Sequence, residues 1–532
     1  MIDTRLVSQR NSVTEISFQS TVAYSDPYNE VDVDVVVTPT VGPKTRHPAF
    51  WAGDKVWKFR FSAPALGEYQ FETECSVAAD SGLHKCSGTF VVEPYTGRNP
   101  ALQRGRIRVS DDRRHFVQQD GTPFLWIGDT WWMGLTTRID WPQGFKELTS
   151  DRVSKGFNAI QIVAGPYPDM DAWDPRGCNE AGFPFSEGFE RVNPEYYDHA
   201  DLKIGHLVRS GLMPCIVGMW GYYLPQIGVA KIKRFWRNLV ARYGAYPVTS
   251  CICGEGTMPY YLSKTREHDQ QLQKEGWSEV MQSVRTIDGY RNLITIHPTQ
   301  FGRDQVTDPA LMDFEMLQTG HSDLESVPNT IESACKAAAR EPRMPFINSE
   351  VNYEGILGRC WQNIQRLCFY HTVLSGAAGH TYGANGIWQM NGSDKPYGPS
   401  PHGRSWGSTP WQDAAQLPGS RQIGLGGRVL ASLAWWELRS QPTWVSASHK
   451  PNDPYGCVAV GAPGKLRVIY IPLCWDPPTL HEMEPGVLYR ARYVNPCTGN
   501  VIEIGNAKGD KQGNWTPLVP PECHDWLLIL EA

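Results

Sequence analysis

The chain reads as a multidomain protein. A central (β/α)8 TIM barrel is flanked by an N-terminal immunoglobulin-like β-sandwich and a C-terminal β-sandwich. Three observations carry this reading. Eight short apolar runs alternate with helix-like stretches through the middle of the 532-residue chain. Period-two alternation of apolar and polar residues fills roughly the first 95 residues. The same alternation returns over about the last 100. At roughly 150 residues per domain, this length suits two to four domains.

In residues 1–96, Val31, Val33, Val35 and Val37 alternate with polar partners. So do Trp57, Phe59 and Phe61, and then Tyr69, Phe71, Thr73 and Cys75. Several strands in so short a stretch, parted by turns such as SAPALGE, fit an immunoglobulin-like sandwich. The connector PYTGRNPALQRGRIRV carries the Gly and Pro of a boundary. Residues 104–430 hold the eight runs: FLWIGDT, NAIQIVAG, MPCIVGMW, VTSCICGE, NLITIHPT, DFEMLQTGH, PFINSE and GHTYGANGIW. Stretches such as VAKIKRFWRNLVARYG and RCWQNIQRLCFYHTVLSG repeat apolar residues at helical spacing between them. Eight such units predict a closed parallel barrel. A doubly wound open sheet is the second choice, but no GxGxxG follows the first run. Residues 431–532 return to strands in LRVIYIPL, VLYRARYVNP and DWLLILEA. Trp51, Trp57, Trp435 and Trp436 read as anchors between domains.

Composition narrows the function. The formal charge is −6 and no Lys/Arg run occurs, which argues against nucleic acid as a partner. No apolar stretch approaches the ~20 residues of a membrane span. The start MIDTRLVSQRNSVTEISF has no apolar h-region, so a cytoplasmic location is expected, or secretion if a leader precedes it. Thirteen cysteines without a CxxC pair read as buried free thiols, with Cys75–Cys86 as the alternative. The 20 Trp, 22 Tyr and 18 Phe serve cores and interfaces, and also suit carbohydrate clefts, where a sugar face stacks on an indole.

Barrel enzymes place their chemistry where the strands end. Here the first run ends in Asp129, Trp131 and Trp132, and the third at Trp220. The fourth ends at Glu255, the fifth at His297, and the sixth at Gln318 and His321. The seventh ends at Glu350 with Tyr353 beyond, and the eighth carries His380, Tyr382 and Trp388. A glutamate that terminates an apolar strand is desolvated for no structural gain. Two of them facing each other across the mouth are what glycosidic cleavage needs, one protonated and one ionised. Either alone could be an ion-pair partner at the mouth. Asp129 could hydrogen-bond sugar hydroxyls or hold neighbouring loops. A metal site from His321, His380 and carboxylates lacks ligand spacing, so none is expected.

Several segments resemble the apiosidase-like glycoside hydrolases: GTPFLWIGDTWW, FWRNLVARYGAYPVTSCICGEG, FEMLQTGH, PFINSEVNYEG and SGAAGHTYGANGIWQM. VWKFRFSAPALGEYQFETEC with SGTFVVEP is similar to the immunoglobulin-like domain that precedes such barrels. YVNPCTGN with DWLLILEA resembles the sandwich that follows them. The resemblance implies a retaining enzyme with Glu255 as acid/base and Glu350 as nucleophile. It places Gln318 and His321 beside the nucleophile, and Asp129, Trp131, His380 and Tyr382 around the pocket. The chain departs from the apiosidase pattern at Cys253-Gly254-Glu255, where those members carry Gly-Gly-Asp. The added methylene moves the proton donor by about 1.5 Å.

The expected function is an exo-acting retaining glycoside hydrolase working on a plant or microbial oligosaccharide or glycoside. No cofactor is expected, and homo-oligomerisation is left open. The alternatives are a glycan-binding barrel without catalysis and a metal-dependent isomerase or lyase. Trp132, Trp220, His297, Tyr353 and Trp388 complete the expected substrate-binding set.

Overall fold

The computed structural model describes residues 4–446, 448, 450, 453–473 and 477–532. Its N-terminal part has two facing sheets. One orders the strands Thr4–Gln9, Ser87–Glu93, Gly67–Cys75, Val33–Pro39 and Thr45–Pro48. The other orders Thr14–Gln19, Val56–Phe61 and Phe50–Trp51. The alternating valines face inward, and Val35 is fully buried with Phe59, Phe61, Phe71 and Phe90. Phe61 stacks on Phe90 with ring centroids 4.7 Å apart.

The middle part is a barrel of eight parallel strands: β1 (Trp126–Thr130), β2 (Ala159–Val163), β3 (Met213–Val217), β4 (Thr249–Cys251), β5 (Ile294–Thr295), β6 (Glu315–Gln318), β7 (Phe346–Glu350) and β8 (Gly379–Tyr382). All eight apolar runs form strands. The sheet runs β5-β4-β3-β2-β1-β8-β7-β6, so the seam lies between β5 and β6. Across it the Asp313 amide donates to Ile294 O at 2.9 Å, and Thr295 Oγ1 donates to Phe314 O at 2.8 Å. The longer helices are α1 (Gln143–Lys155), α2 (Pro194–Arg209), α3 (Val229–Tyr243), α4 (Arg266–Ile287), α5 (Val327–Ala339), α6 (Gln362–Leu374) and α7 (Pro418–Ala431). Between β5 and β6 two 3-10 turns replace the expected helix. A small three-stranded sheet closes the floor of the barrel. Its Phe116 packs edge-on against Phe314, with centroids 5.1 Å apart. Among the described residues no helix is long and apolar enough to cross a membrane.

The C-terminal part is a six-stranded antiparallel sheet, Arg439–Ser440, Val458–Ala462, Leu466–Ile471, Trp526–Glu531, Tyr489–Val494 and Val501–Ala507 in spatial order. Strand alternation divides its apolar residues between two cores. Val468, Tyr470, Leu527 and Ile529 join the barrel core, while Ile469, Ile471, Leu528 and Leu530 form a separate one. Tyr470 stacks on Tyr370 of α6 with centroids 4.5 Å apart.

Trp51 packs against both the sandwich core and the barrel core, and Trp435 packs against the barrel core. Trp57 lies within the sandwich core instead. The described cysteines are free thiols. Cys75 and Cys86 are among them, and Cys86 Sγ donates to Gly82 O at 3.2 Å.

The contact of the C-terminal sheet with the barrel includes a nearly dry ion pair. Arg366 of α6 grips Asp525 through Nη2 to Oδ1 at 2.6 Å and Nε to Oδ2 at 2.8 Å, and Tyr470 donates to Oδ2 at 2.9 Å. Removing one partner of such a pair strands the other charge in the interior. Asp525→Ala is expected to lower unfolding stability by about 3–5 kcal/mol in denaturant titrations. A change within about 0.5 kcal/mol would place it with ordinary surface substitutions.

Candidate active site

The strand ends converge on a pocket of ≈ 190 Å³ at the mouth of the barrel. Glu350 closes β7, and its carbonyl accepts from the Thr319 amide at 2.9 Å. A register shift between Leu317 and Gln318 sets Gln318 opposite Glu350 rather than Ser349. Such a bulge re-aims side chains beside a site.

Glu255 follows β4 in a segment pinned from both sides. Gly254 N donates to Met219 O at 2.9 Å, and Gly256 N donates to His297 O at 3.0 Å. A Cβ at Gly254 would stand 2.3 Å from the Trp220 ring, so only glycine lets the indole lie there. Glu255 itself has φ 45°, a left-handed conformation that costs a residue with a Cβ.

One amide holds the two carboxylates together. Gln318 Nε2 donates to Glu255 Oε1 at 3.0 Å and to Glu350 Oε1 at 3.2 Å. A nitrogen reaching both at hydrogen-bond distance keeps those oxygens within about 6 Å of each other. Trp220 Nε1 donates to Glu255 Oε2 at 3.0 Å. His321 Nε2 lies 2.8 Å from Glu350 Oε1, so an ionised Glu350 requires the proton on that nitrogen. His297 Nε2 stands 3.3 Å from Glu350 Oε2 without hydrogen-bond alignment. The aromatic wall is continuous. Tyr353 stacks on His321 at 4.6 Å and on Trp388 at 6.0 Å, and it accepts from Trp132 Nε1 at 3.0 Å.

The two glutamates titrate in opposite directions. Desolvation, and then the charge of Glu350, push Glu255 up to about 7 although its residue is partly open to the pocket. Burial would raise Glu350 too, since only 6% of it is exposed. His297 and His321 overcome that and hold it well below the ordinary carboxylate range.

Of the residues expected at the site, the pocket brings together Glu255, Glu350, Trp132, Trp220, Gln318, His321, Tyr353 and Trp388. His297 is fully buried behind Glu350. Four others lie elsewhere, because strand alternation turns them toward the helices. Asp129 pairs with Arg152 of α1 at 2.6 Å and accepts from Trp131 Nε1 at 2.8 Å. Trp131 meets Phe145 of α1 edge-on at 5.5 Å. His380 meets Phe369 of α6 at 5.4 Å, and burial holds its pKa down at about 3. Tyr382 donates to Glu354 Oε2 at 2.5 Å.

The pocket also takes Pro168, Asp169, Met258, Tyr261, Ile356 and Trp406, which are outside the expected site set, although Asp169 is legible as following the second apolar run. All come from loops, where no periodicity reports a facing direction. The available signal was the density of aromatic and acidic residues in PYPDMDAW and MPYYL. Among the described residues the group close enough to hold a metal ion is Cys497, His524 and Asp525 in the C-terminal part. There Arg366 and Tyr470 already occupy Asp525.

Asp129 and Arg152 are both fully shielded from water, so loss of the carboxylate leaves a buried cation. Asp129→Ala is expected to lose about 3–5 kcal/mol of stability in denaturant titrations, with KM of the folded enzyme unchanged. A raised KM at normal stability would instead return Asp129 to the pocket.

Comparison with known proteins bears on the family and the fold. The family model described as apiosidase-like, catalytic domain, matches residues 110–437, more than half the chain. A domain of unknown function, DUF5060, matches residues 9–76. No curated protein matches. A solved glycoside hydrolase family 5 protein from Bacteroides vulgatus is 21% identical, with TM-score 0.68 over 82% of this chain and 95% of that one. A second Bacteroides vulgatus protein, proposed to be a glycoside hydrolase, is 16% identical, with TM-score 0.72 over 99% and 100%. At such identities the likeness bears on the fold: a barrel with its flanking sheets. The family match spans the barrel and its mouth, and the chain belongs to the apiosidase-like family of glycoside hydrolases.

Proposed function

We propose that this pocket hydrolyses an O-glycosidic bond with retention of configuration, releasing a sugar from a chain end. The observation that carries the reading is the bridge from Gln318 to both carboxylates. Retaining enzymes hold their carboxyl groups about 5–5.5 Å apart, and inverting ones about 6.5–9.5 Å, to admit a water. Oxygens tied to one amide fit the closer spacing.

In this reading Glu350 is the nucleophile. Its carboxylate attacks the anomeric carbon as the glycosidic C–O bond breaks, and the Glu255 proton passes to the leaving oxygen. Glu255, now ionised, takes a proton from water. That water attacks the anomeric carbon, and Glu350 leaves with its electron pair. The opposed pKa shifts supply the starting state: Glu255 protonated near neutrality, Glu350 ionised. Trp132, Trp220, Tyr353 and Trp388 offer faces for the sugar, Gln318 and His321 hold the nucleophile in place, and His297 lies against it. Walls contributed by seven of the strand ends support a blind pocket, and with it exo action.

Glu350→Gln is expected to lower turnover by about three or more orders of magnitude, because no glycosyl-enzyme can form. Glu255→Gln should retain attack on substrates with good leaving groups and lose it on poor ones. Equal losses on both classes would contradict the assignment of Glu255 as acid. NMR of the first-formed anomer tests retention directly.

The pH profile has a worked-out direction. Glu255 must carry its proton at the start, so kcat/KM should fall as pH rises through about 7. The acid limb belongs to Glu350 and lies below the ordinary carboxylate range. On activated substrates Glu255→Gln should flatten the basic limb. A limb that survives unchanged would contradict the assignment of Glu255 as its source.

A further inference from the structure

A third carboxylate lines the pocket, and the double displacement leaves it unused. Asp169 follows β2, which stands across the eight-strand ring from β6 and its Gln318 and His321. It is 8% exposed. His402 and Arg176 are near enough for their charge to bear on it, but among the described residues neither forms an ion pair with it. A buried carboxylate held by hydrogen bonds rather than by a paired cation is costly, and such groups cluster where ligands bind.

What holds Asp169 comes from two other loops. Tyr261, after β4, donates to Oδ1 at 2.5 Å. Trp406, after β8, donates through Nε1 to Oδ2 at 3.0 Å. The Ser400 hydroxyl lies beside it and helps to hold its charge. Burial raises the Asp169 pKa, and these donors oppose that. A carboxylate offers about four lone-pair sites, so acceptor capacity remains beyond the two bonds.

The rest of the lining narrows what that capacity can meet. No Lys or Arg faces the pocket, and most of the wall is aromatic or aliphatic. The carboxylate of a uronic acid, or a sulfate, would find Asp169 repulsive and no Lys or Arg to pair with, since His321 is engaged by Glu350. Adjacent hydroxyls of an uncharged sugar would find a fixed acceptor.

We infer that Asp169 is a specificity-determining residue that accepts hydrogen bonds from adjacent hydroxyls of a neutral glycone, on the side of the ring away from the scissile bond. The inference rests on the reading of Glu255 and Glu350 as the pair that brackets the anomeric carbon.

The test compares wild type and Asp169→Asn on aryl glycosides of neutral sugars and on their mono-deoxy analogues. Asp169→Asn should lower kcat/KM by about 10- to 100-fold, mainly through KM. Wild type should suffer the same loss on the analogue that lacks the hydroxyl being read. The variant should lose nothing further on that analogue, which a purely structural role for Asp169 would not produce. Should Asp169→Asn fail to fold, Trp406→Phe keeps the carboxylate, removes one clamp, and should shrink the penalty for the missing hydroxyl. Additive losses, a loss confined to kcat, a loss that follows the leaving group, or a panel with no deoxy-sensitive glycoside would each overturn the inference. Failure of the underlying reading shows differently, as turnover that survives Glu350→Gln.

Discussion

The pocket is organised around keeping Glu350 ionised while it is shut away from water. An interior carboxylate loses hydration that only hydrogen-bond donors and nearby positive charge can replace. Glu350 draws that support from β5 and β6, through His297, His321 and Gln318. The support depends on register. Without the shift between Leu317 and Gln318, the amide would face Ser349 and the bridge to Glu255 would be lost. Once Glu350 is charged, its field helps keep Glu255 protonated. One asymmetry in donors thus separates the states of two chemically identical side chains.

Much of this was legible in the sequence. The eight runs all became strands, because a parallel strand buried on both faces carries few charges and many apolar residues along its length. Glu255 and Glu350 stood out because each follows such a run. What failed was the reading of individual strand ends. In β1 the indole of Trp126 donates to Thr381 inside the barrel at 3.0 Å, so Asp129, at odd separation, faces outward to Arg152. The same parity sends His380 and Tyr382 outward while Thr381 turns in. Period-two counting along each run exposes these four residues, given one position whose direction is known. The loop residues had no such handle. Asp169, Tyr261 and Trp406 meet only when three separate strands close into a ring.

The flanking domains obey the same alternation with a different result. DWLLILEA reads as a plain apolar run because both of its faces are buried. One supplies the barrel core, and the other supplies the core of its own sheet. A strand shared between two cores cannot slip without exposing both. The N-terminal sandwich is fixed by polar contacts as well as by the packing of Trp51. Arg60 donates to Arg242 O at 2.8 Å and to Asp201 at 2.5 Å, and Ser62 Oγ donates to Ala245 O at 2.6 Å. These contacts fall on α2, α3 and the turns beside them, the supports of β3 and β4.

That attachment has a consequence for the mouth. Glu255 sits in a conformation unfavourable to a side chain, and such a residue persists only when its surroundings over-determine it. The amides of Gly254 and Gly256 provide that locally, bonded to the segments after β3 and β5. Those segments stay in place only if β3, β4 and β5 keep their spacing, and α2 and α3 brace that arc against the sandwich. On the opposite side of the ring, β7 and β8 are backed by α6, which the C-terminal sheet grips through Arg366 and Tyr370. The two flanking sheets therefore brace opposite halves of one ring, and each half carries one of the two glutamates. Their separation is set by the closed barrel, and Gln318 spans it at the seam side, where β6 lacks a backbone partner on β5 over most of its length.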